Sequence, residues 1–101
     1  MTTNRVDRQA MLDQIGRMNV LAISGGRVRA TEHGVELPVS NGYRVRVDYN
    51  EGADDYTVRR VLVRGAKEFE KGAPRERVYA DQVGEIAYRA GMFRSYDAEE
   101  W

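Results

Sequence analysis

The chain of 101 residues contains no cysteine, two prolines and one histidine. Without cysteine it can build neither a disulfide framework nor a thiol nucleophile. With a single histidine, a metal site would depend on carboxylates, and the ligand spacing of a zinc site is absent. No stretch reaches the roughly 20 apolar residues that span a bilayer. What remains is a single domain over residues 1–101, whose hydrophobic fraction of 42% suffices for a core.

Net charge is also lacking, since 16 basic and 16 acidic residues sum to zero. The molecule as a whole therefore does not attract nucleic acid by its charge. Residues 1–7 carry charges where a signal peptide would have an apolar run. We expect a soluble protein of the cytoplasm without a membrane partner.

Helical periodicity occurs near both ends of the chain. A first helix is predicted from about Asn4, as its N-cap, to Ile15. A second helix is predicted from about Arg75 to Ala90. Its apolar face would contain Tyr79, Val83, Ile86, Ala87 and Ala90. Residues 95–101 would form a short acidic tail.

Short strands separated by turn residues are predicted between the helices. The continuous apolar run Val20–Ile23 indicates a strand buried on both faces. Further strands are predicted near residues 27–31 and at Val35–Leu37, Asn41–Gly42 predicts a turn, and Ala66–Lys71 one helical turn. Short turns between successive strands favour an antiparallel arrangement. The predicted fold is α+β: a four- to five-stranded meander sheet with an N-terminal and a C-terminal helix packed on it.

The clearest strand pattern lies in a central hairpin. Tyr43, Val45, Val47 and Tyr49 alternate with Arg44, Arg46 and Asp48, and the partner strand begins at Tyr56 and Val58. Pairing Tyr49 with Tyr56 places Arg46 directly across from Arg59. Like charges opposite one another destabilise a pair of strands. Either acidic side chains of neighbouring elements neutralise these arginines, or a partner or phosphate does.

The partner strand interrupts its own alternation. Simple alternation places Arg60 on the core face and Val61 and Val63 on the outer face. A bulge at Arg59–Arg60 would return both valines to the core. Without a bulge, the outer face is partly apolar and needs cover. If both helices share one side, Val61 and Val63 are candidates for self-association as a two-fold homodimer, whereas helices on opposite sides would leave a monomer.

No pattern of catalytic residues is assembled in the sequence. His33 lies in a predicted His-Gly turn. The loop acids Glu51, Asp54 and Asp55 lack the spacing of a calcium loop. We therefore predict a non-enzymatic protein with no catalytic, metal or cofactor site.

Four segments occur in the order of the central strands and the following helix: Asn41–Val47, Asp55–Val58, Arg64–Gly65 and Val78–Asp81. Their order and spacing resemble a family of small uncharacterised phage and prophage proteins with NGxxxVRV, DxYxV…RG and VYADxxxE motifs. The resemblance covers roughly residues 12–93 and brings no known activity or catalytic residue with it.

Two functions are open at this point. The resemblance implies a phage or prophage accessory protein in the cytoplasm of a bacterial host. Together with the absence of assembled catalytic residues, it predicts that the protein binds an unknown host or phage protein, and inhibition of host defence or growth is one purpose that such binding could serve. The alternative is a nucleic-acid-binding module that uses the arginine-bearing face of the hairpin. The candidate contacts with a partner or with nucleic acid are Arg44, Arg46, Arg59 and Arg60.

Overall fold

Three helices cover one face of a six-stranded antiparallel sheet in the computed structural model, which describes residues 7–92. The helices are α1 (Arg8–Ile15), α2 (Arg17–Ser24) and α3 (Val83–Met92). The strands are β1 (Arg29–Ala30), β2 (Gly34–Pro38), β3 (Tyr43–Asn50), β4 (Asp55–Arg64), β5 (Lys67–Glu70) and β6 (Arg75–Val78). A short 3-10 helix (Ser40–Gly42) joins β2 to β3.

The long strand β4 organises the sheet. Strands β1 to β4 form a meander, and β4 pairs with β3 along one edge. Its other edge is shared, because β5 pairs with the C-terminal half of β4 and β6 pairs with the N-terminal half. The predicted α+β class and antiparallel meander are confirmed, with six strands in place of the four or five expected.

The core lies between the helices and one face of the sheet. Strand residues Val35, Leu37, Val45, Val47 and Val58 are wholly buried. The helices contribute Met11, Ile15, Val20, Ile23, Val83, Ala87 and Ala90. Burying one such aliphatic side chain stabilises the fold by about 1.5–3 kcal/mol. The alternation predicted for residues 43–49 is confirmed, since its valines face this core.

The prediction of a strand at Val20–Ile23 is wrong, because these residues lie in α2. A run of four apolar residues fits a buried strand and a buried helix equally well. Gly16, with a φ of 101°, ends α1 and lets the chain restart at once as a second helix. Val20 and Ile23 then face inward at helical spacing, whereas Leu21 is exposed.

Two predicted helical segments are also wrong. Ala66–Lys71 does not form a helical turn: Gly65, with a φ of 61°, makes a tight hairpin that pairs Lys67 with Arg64 in β5. Residues Arg75–Val78 form β6, so the last helix begins at Val83. In both places the backbone N–H and C=O groups of the segment pair with the edge of β4 that β3 leaves free.

The ends of the predicted helices differ as well. Tyr79 precedes α3 and is exposed, so it is not part of the apolar face predicted for that helix. The first helix begins at Arg8, with Asp7 as its N-cap: the Asp7 carboxylate accepts a hydrogen bond of 3.0 Å from the Ala10 backbone N–H. The predicted cap Asn4 and the predicted acidic tail of residues 95–101 lie outside the described residues.

A glycine lets α3 approach the end of α1. A Cβ atom built at Gly84 would lie 2.4 Å from the Ile15 carbonyl oxygen, which also accepts a hydrogen bond of 2.7 Å from the Asn19 amide. Such a distance is far below a van der Waals contact, so a side chain here would push α3 away from the α1–α2 junction.

We expect Gly84→Ala to lower the free energy of unfolding by about 1–3 kcal/mol, because the added methyl group overpacks this junction. Urea denaturation followed by circular dichroism measures the change. Gly52→Ala is the control, since a Cβ at Gly52 meets nothing within 4 Å. Equal stability of the two variants would contradict the close approach.

Candidate functional site

The central hairpin places its arginines as the sequence predicts. The β3–β4 ladder runs without interruption from Tyr43 opposite Leu62 to Asn50 opposite Asp55, and it sets Arg46 against Arg59. There is therefore no bulge at Arg59–Arg60. Because residues two apart in a strand share a face, Arg44, Arg46 and Arg59 all lie on the sheet face opposite the helices.

Glu36 neutralises two of these arginines from the neighbouring strand β2. Its carboxylate accepts hydrogen bonds of 2.6 Å from Arg46 and 2.7 Å from Arg44. Arg29 on β1 approaches the same carboxylate at 3.8 Å. Burial by itself raises the pKa of Glu36, but the hydrogen bonds and charges of Arg46 and Arg44 outweigh it, so the pKa lies below the ordinary value.

Acidic side chains on the other flank complete the neutralisation. Arg59 lies 3.0 Å from Glu70 and 3.5 Å from Asp48, and Arg46 lies 3.3 Å from Glu68. The resulting ionic face consists of Arg29, Glu36, Arg44, Arg46, Asp48, Arg59, Glu68 and Glu70. Its four positive and four negative charges sum to zero, which explains how Arg46 and Arg59 can face each other. Acids of the neighbouring strands, rather than an outside anion, are the neutralising groups.

The valines proposed for self-association do not form an exposed patch. Val61 lies on the ionic face but is only 4% exposed, because Arg44 and Glu70 flank it in register. Val63 is half-buried. The helices do share one side of the sheet, but the prediction that the outer face would then expose an apolar patch is wrong for the described residues. A homodimer itself stays a prediction.

Arg60 is separated from the other arginines. The unbroken alternation of β4 points it into the core face, where it is 1% exposed and the largest fully buried side chain of the described residues. It therefore does not lie with Arg44, Arg46 and Arg59, and an outside ligand does not reach it on this surface.

Exposed apolar side chains cluster elsewhere, on the outward side of α2. Met18 is 75% exposed and Leu21 is 48% exposed, and Val28 beyond the helix is 38% exposed. We call these three residues, with the partly buried Leu12 of α1, the α2 surface. A hollow of about 470 Å³ opens beside Leu21. It is lined by Gln9, Leu12, Asp13, Arg17, Val20, Leu21, Gly26 and Val28.

The charges beside the α2 surface differ from those of the ionic face. Within residues 7–92, neither Arg17 nor Arg27 forms an ion pair. Arg27 donates a hydrogen bond of 3.1 Å to the Ser24 carbonyl, and the acid Asp13 accepts one of 3.2 Å from Gln9. Arg17 and Asp13 line the hollow and Arg27 does not, so the charges of the lining residues sum to zero.

Sequence reasoning missed the α2 surface because it assigned Val20–Ile23 to a strand. As a helix, the segment presents Met18, Leu21 and Ala22 at the i, i+3, i+4 spacing of one stripe. That spacing was readable, but it competes with the interpretation of the same residues as one continuous apolar run.

Of the residues considered for chemistry, His33, Glu51 and Asp54 are exposed, whereas Asp55 is buried. His33 lies 3.9 Å from Glu32. Asp54 accepts a hydrogen bond of 2.7 Å from the Tyr49 hydroxyl, and this bond is the main cause that raises the pKa of Tyr49 to about 12. Among residues 7–92, no three His, Cys, Asp or Glu side chains are grouped closely enough to hold a metal ion. Nor does any helix of that range have the length and apolar character needed to cross a bilayer.

No protein-family model, curated protein or solved structure matches the chain. The resemblance to small phage and prophage proteins therefore stays a prediction.

We expect Glu36→Gln to lower the free energy of unfolding at neutral pH by about 1–3 kcal/mol, because it removes charge-assisted hydrogen bonds to two arginines. The lowered pKa means that the Glu36 contribution is complete above the ordinary value of 4.5 and is lost as the pH falls through the folded-state pKa. Urea denaturation between neutral pH and about pH 3 should therefore show that the free energies of unfolding of wild type and Glu36→Gln become equal in acid.

Glu68→Gln is the matched control, since Glu68 is half-exposed and its pair with Arg46 should contribute less than about 0.5 kcal/mol. A difference between wild type and Glu36→Gln that is independent of pH would show that the charge of Glu36 is not what stabilises the face.

Truncation of the neighbours Arg59 and Arg60 should lower the free energy of unfolding by very different amounts. Arg60→Ala empties a fully buried position and should cost about 3 kcal/mol or more. Arg59→Ala removes partly exposed ion pairs and should cost about 1 kcal/mol or less. Thermal or urea unfolding of both variants measures the two losses of stability. A larger loss of stability for Arg59→Ala than for Arg60→Ala would contradict the unbroken register of β4.

Proposed function

We propose that this protein is not an enzyme and acts by binding another protein through the α2 surface. The observation that supports the proposal is that the short helix α2 carries apolar side chains on two sides, one facing the core and one facing solvent. The inward side of α2 is buried in the core through Val20 and Ile23, whereas the outward side leaves Met18 and Leu21 in solvent. Exposed apolar clusters with a polar rim are typical of protein-binding sites.

The ionic face supports a different role. Its arginines are held by acids of neighbouring strands, so they are already neutralised and their geometry is fixed. Phosphate binding would have to displace these carboxylates, and the summed charge of zero gives no long-range attraction for nucleic acid. The face is therefore better suited to a solvated, rigid outer surface, which counts against the nucleic-acid alternative.

The resemblance to phage and prophage proteins supports a cellular setting for this binding. In that setting the protein is an accessory protein in the cytoplasm of a bacterial host, its partner is a host or phage protein, and the binding inhibits host defence or growth.

Affinity capture from a bacterial lysate tests the function. The immobilised wild-type chain should enrich specific proteins, and the double variant Met18→Ser/Leu21→Ser should lose them, because it removes the two most exposed apolar side chains of the α2 surface. Mass spectrometry identifies the retained proteins, and circular dichroism verifies that the variant is folded.

Phe69→Ser is the matched control. Phe69 is 46% exposed on β5, so the substitution removes an apolar side chain about as exposed as Leu21 from a different element. Equal capture by wild type and the α2 double variant, or recovery of nucleic acid alone, would contradict the proposal.

A further inference from the structure

We infer that the outer edge of β5 binds an extended segment of another protein as an added strand, and that this segment carries the inverse of the charge order of β5. The inference goes beyond the proposed function, because it concerns a surface separate from the α2 surface. Its evidence is the set of backbone groups that β5 directs outward and the order of its side chains.

Strand β5 has a free edge, since β4 is the only strand of residues 7–92 with which it pairs. The Lys71 N–H donates a hydrogen bond of 2.9 Å to the Arg60 carbonyl. Opposed residues of an antiparallel ladder alternate between hydrogen-bonded and non-hydrogen-bonded pairs, so Phe69 also shares hydrogen bonds with β4. Glu68 and Glu70 lie between these positions and direct their backbone N–H and C=O groups away from β4. An added strand pairs with such outward backbone groups.

The side chains of this edge place an apolar residue at the centre of a charged strand. Phe69 is 46% exposed on the sheet face that carries the helices, with Lys67 and Lys71 on either side of it. Glu68 and Glu70 lie on the ionic face, where their side chains are 54% and 43% exposed. Short, charged edge strands are a common protection against unwanted pairing. That protection does not require an exposed phenylalanine, whereas an added strand would use it as an anchor that fixes the register.

The charge order selects the chemistry of the partner. With an apolar residue opposite Phe69, the added strand would place its neighbouring side chains opposite Glu68 and Glu70, and the next ones opposite Lys67 and Lys71. Opposite charges across two strands stabilise their pairing. The partner segment is therefore acidic, basic, apolar, basic and acidic in order. Because the β5 sequence is symmetric about Phe69, this order fits either direction of the added strand.

A second copy of the chain is a poorer occupant of this edge. Antiparallel pairing of two β5 strands about Phe69 would place Lys67 opposite Lys71 and Glu68 opposite Glu70. Every charged pair would then join like charges, which destabilises the pairing. The charge order therefore favours a different chain over self-association at β5.

Two synthetic peptides of identical composition and zero net charge test the inference. One has the central sequence Glu-Lys-Val-Lys-Glu, the other has Lys-Glu-Val-Glu-Lys, and both have the same threonine flanks. Fluorescence anisotropy with the full-length chain measures each dissociation constant. We expect the first peptide to bind about tenfold more tightly at low salt, because its charged pairs with β5 are opposite rather than like, and we expect this ratio to shrink as salt rises.

Substitutions of Glu68 separate the backbone contribution from the charge. Glu68→Pro and Glu68→Gln both remove the carboxylate, but only Glu68→Pro removes the outward N–H. Proline is tolerated on an edge strand where its nitrogen faces away from the ladder, so the pairing of β5 with β4 should remain, as circular dichroism verifies. Glu68→Pro should therefore weaken binding of the first peptide more than Glu68→Gln does.

Equal affinities for the two peptides, binding of neither peptide, or equal effects of the two Glu68 substitutions would each overturn the inference. A dimer in light scattering that Phe69→Ser dissociates would overturn it as well. Phe69→Ser should weaken peptide binding but leave the lysate capture that depends on Met18 and Leu21. The inference and the proposed function can therefore fail independently.

Discussion

Glu36 accepts hydrogen bonds from both Arg44 and Arg46, and this contact lets the central hairpin carry three arginines on one face. The unbroken β3–β4 ladder places Arg46 against Arg59, an arrangement that would be repulsive by itself. Carboxylates on both flanks offset the repulsion. The same ladder also sends Arg60 into the core face, so one register determines both the surface charge and the buried charge of the sheet.

The ionic face limits where a partner could make apolar contact with the molecule. The three described helices lie on one side of the sheet, and the other side is an ionic face with summed charge zero and no exposed apolar patch. Phe69 on β5 is the large apolar side chain of the described strands that stays exposed. Val61 is covered although it points outward. Apolar exposure is greatest on a helix, at Met18, where the nearby cations have no ion-pair partner among the described residues. The largest apolar exposure of the described residues therefore lies at the α2 surface.

The parts of the fold that the sequence predicted are those governed by local alternation. The hairpin register followed from the period of two in residues 43–49, and the like-charged pair Arg46–Arg59 followed from the register. The parts it missed depend on distant partners. The chain at Lys67–Glu70 becomes a strand because the edge of β4 lies beside it. Val20–Ile23 is stabilised as a helix because Val20 and Ile23 pack into the core with residues distant in sequence. The arginine face was predictable for that reason, whereas the helical spacing of the α2 surface competed with the interpretation of the same residues as a strand.

The length of α2 connects its stability with its exposure. A helix of eight residues is not stable by itself in water and depends on tertiary packing. The inward side chains Val20 and Ile23 supply that packing. The outward stripe adds less to the isolated fold, since Met18 is 75% exposed and Leu21 is 48% exposed. A partner helix on that stripe would bury a second side of α2, and any ligand that binds only the folded state stabilises it further. Such a complex would recover the cost of leaving these side chains exposed, and this is the physical argument for the proposed binding role.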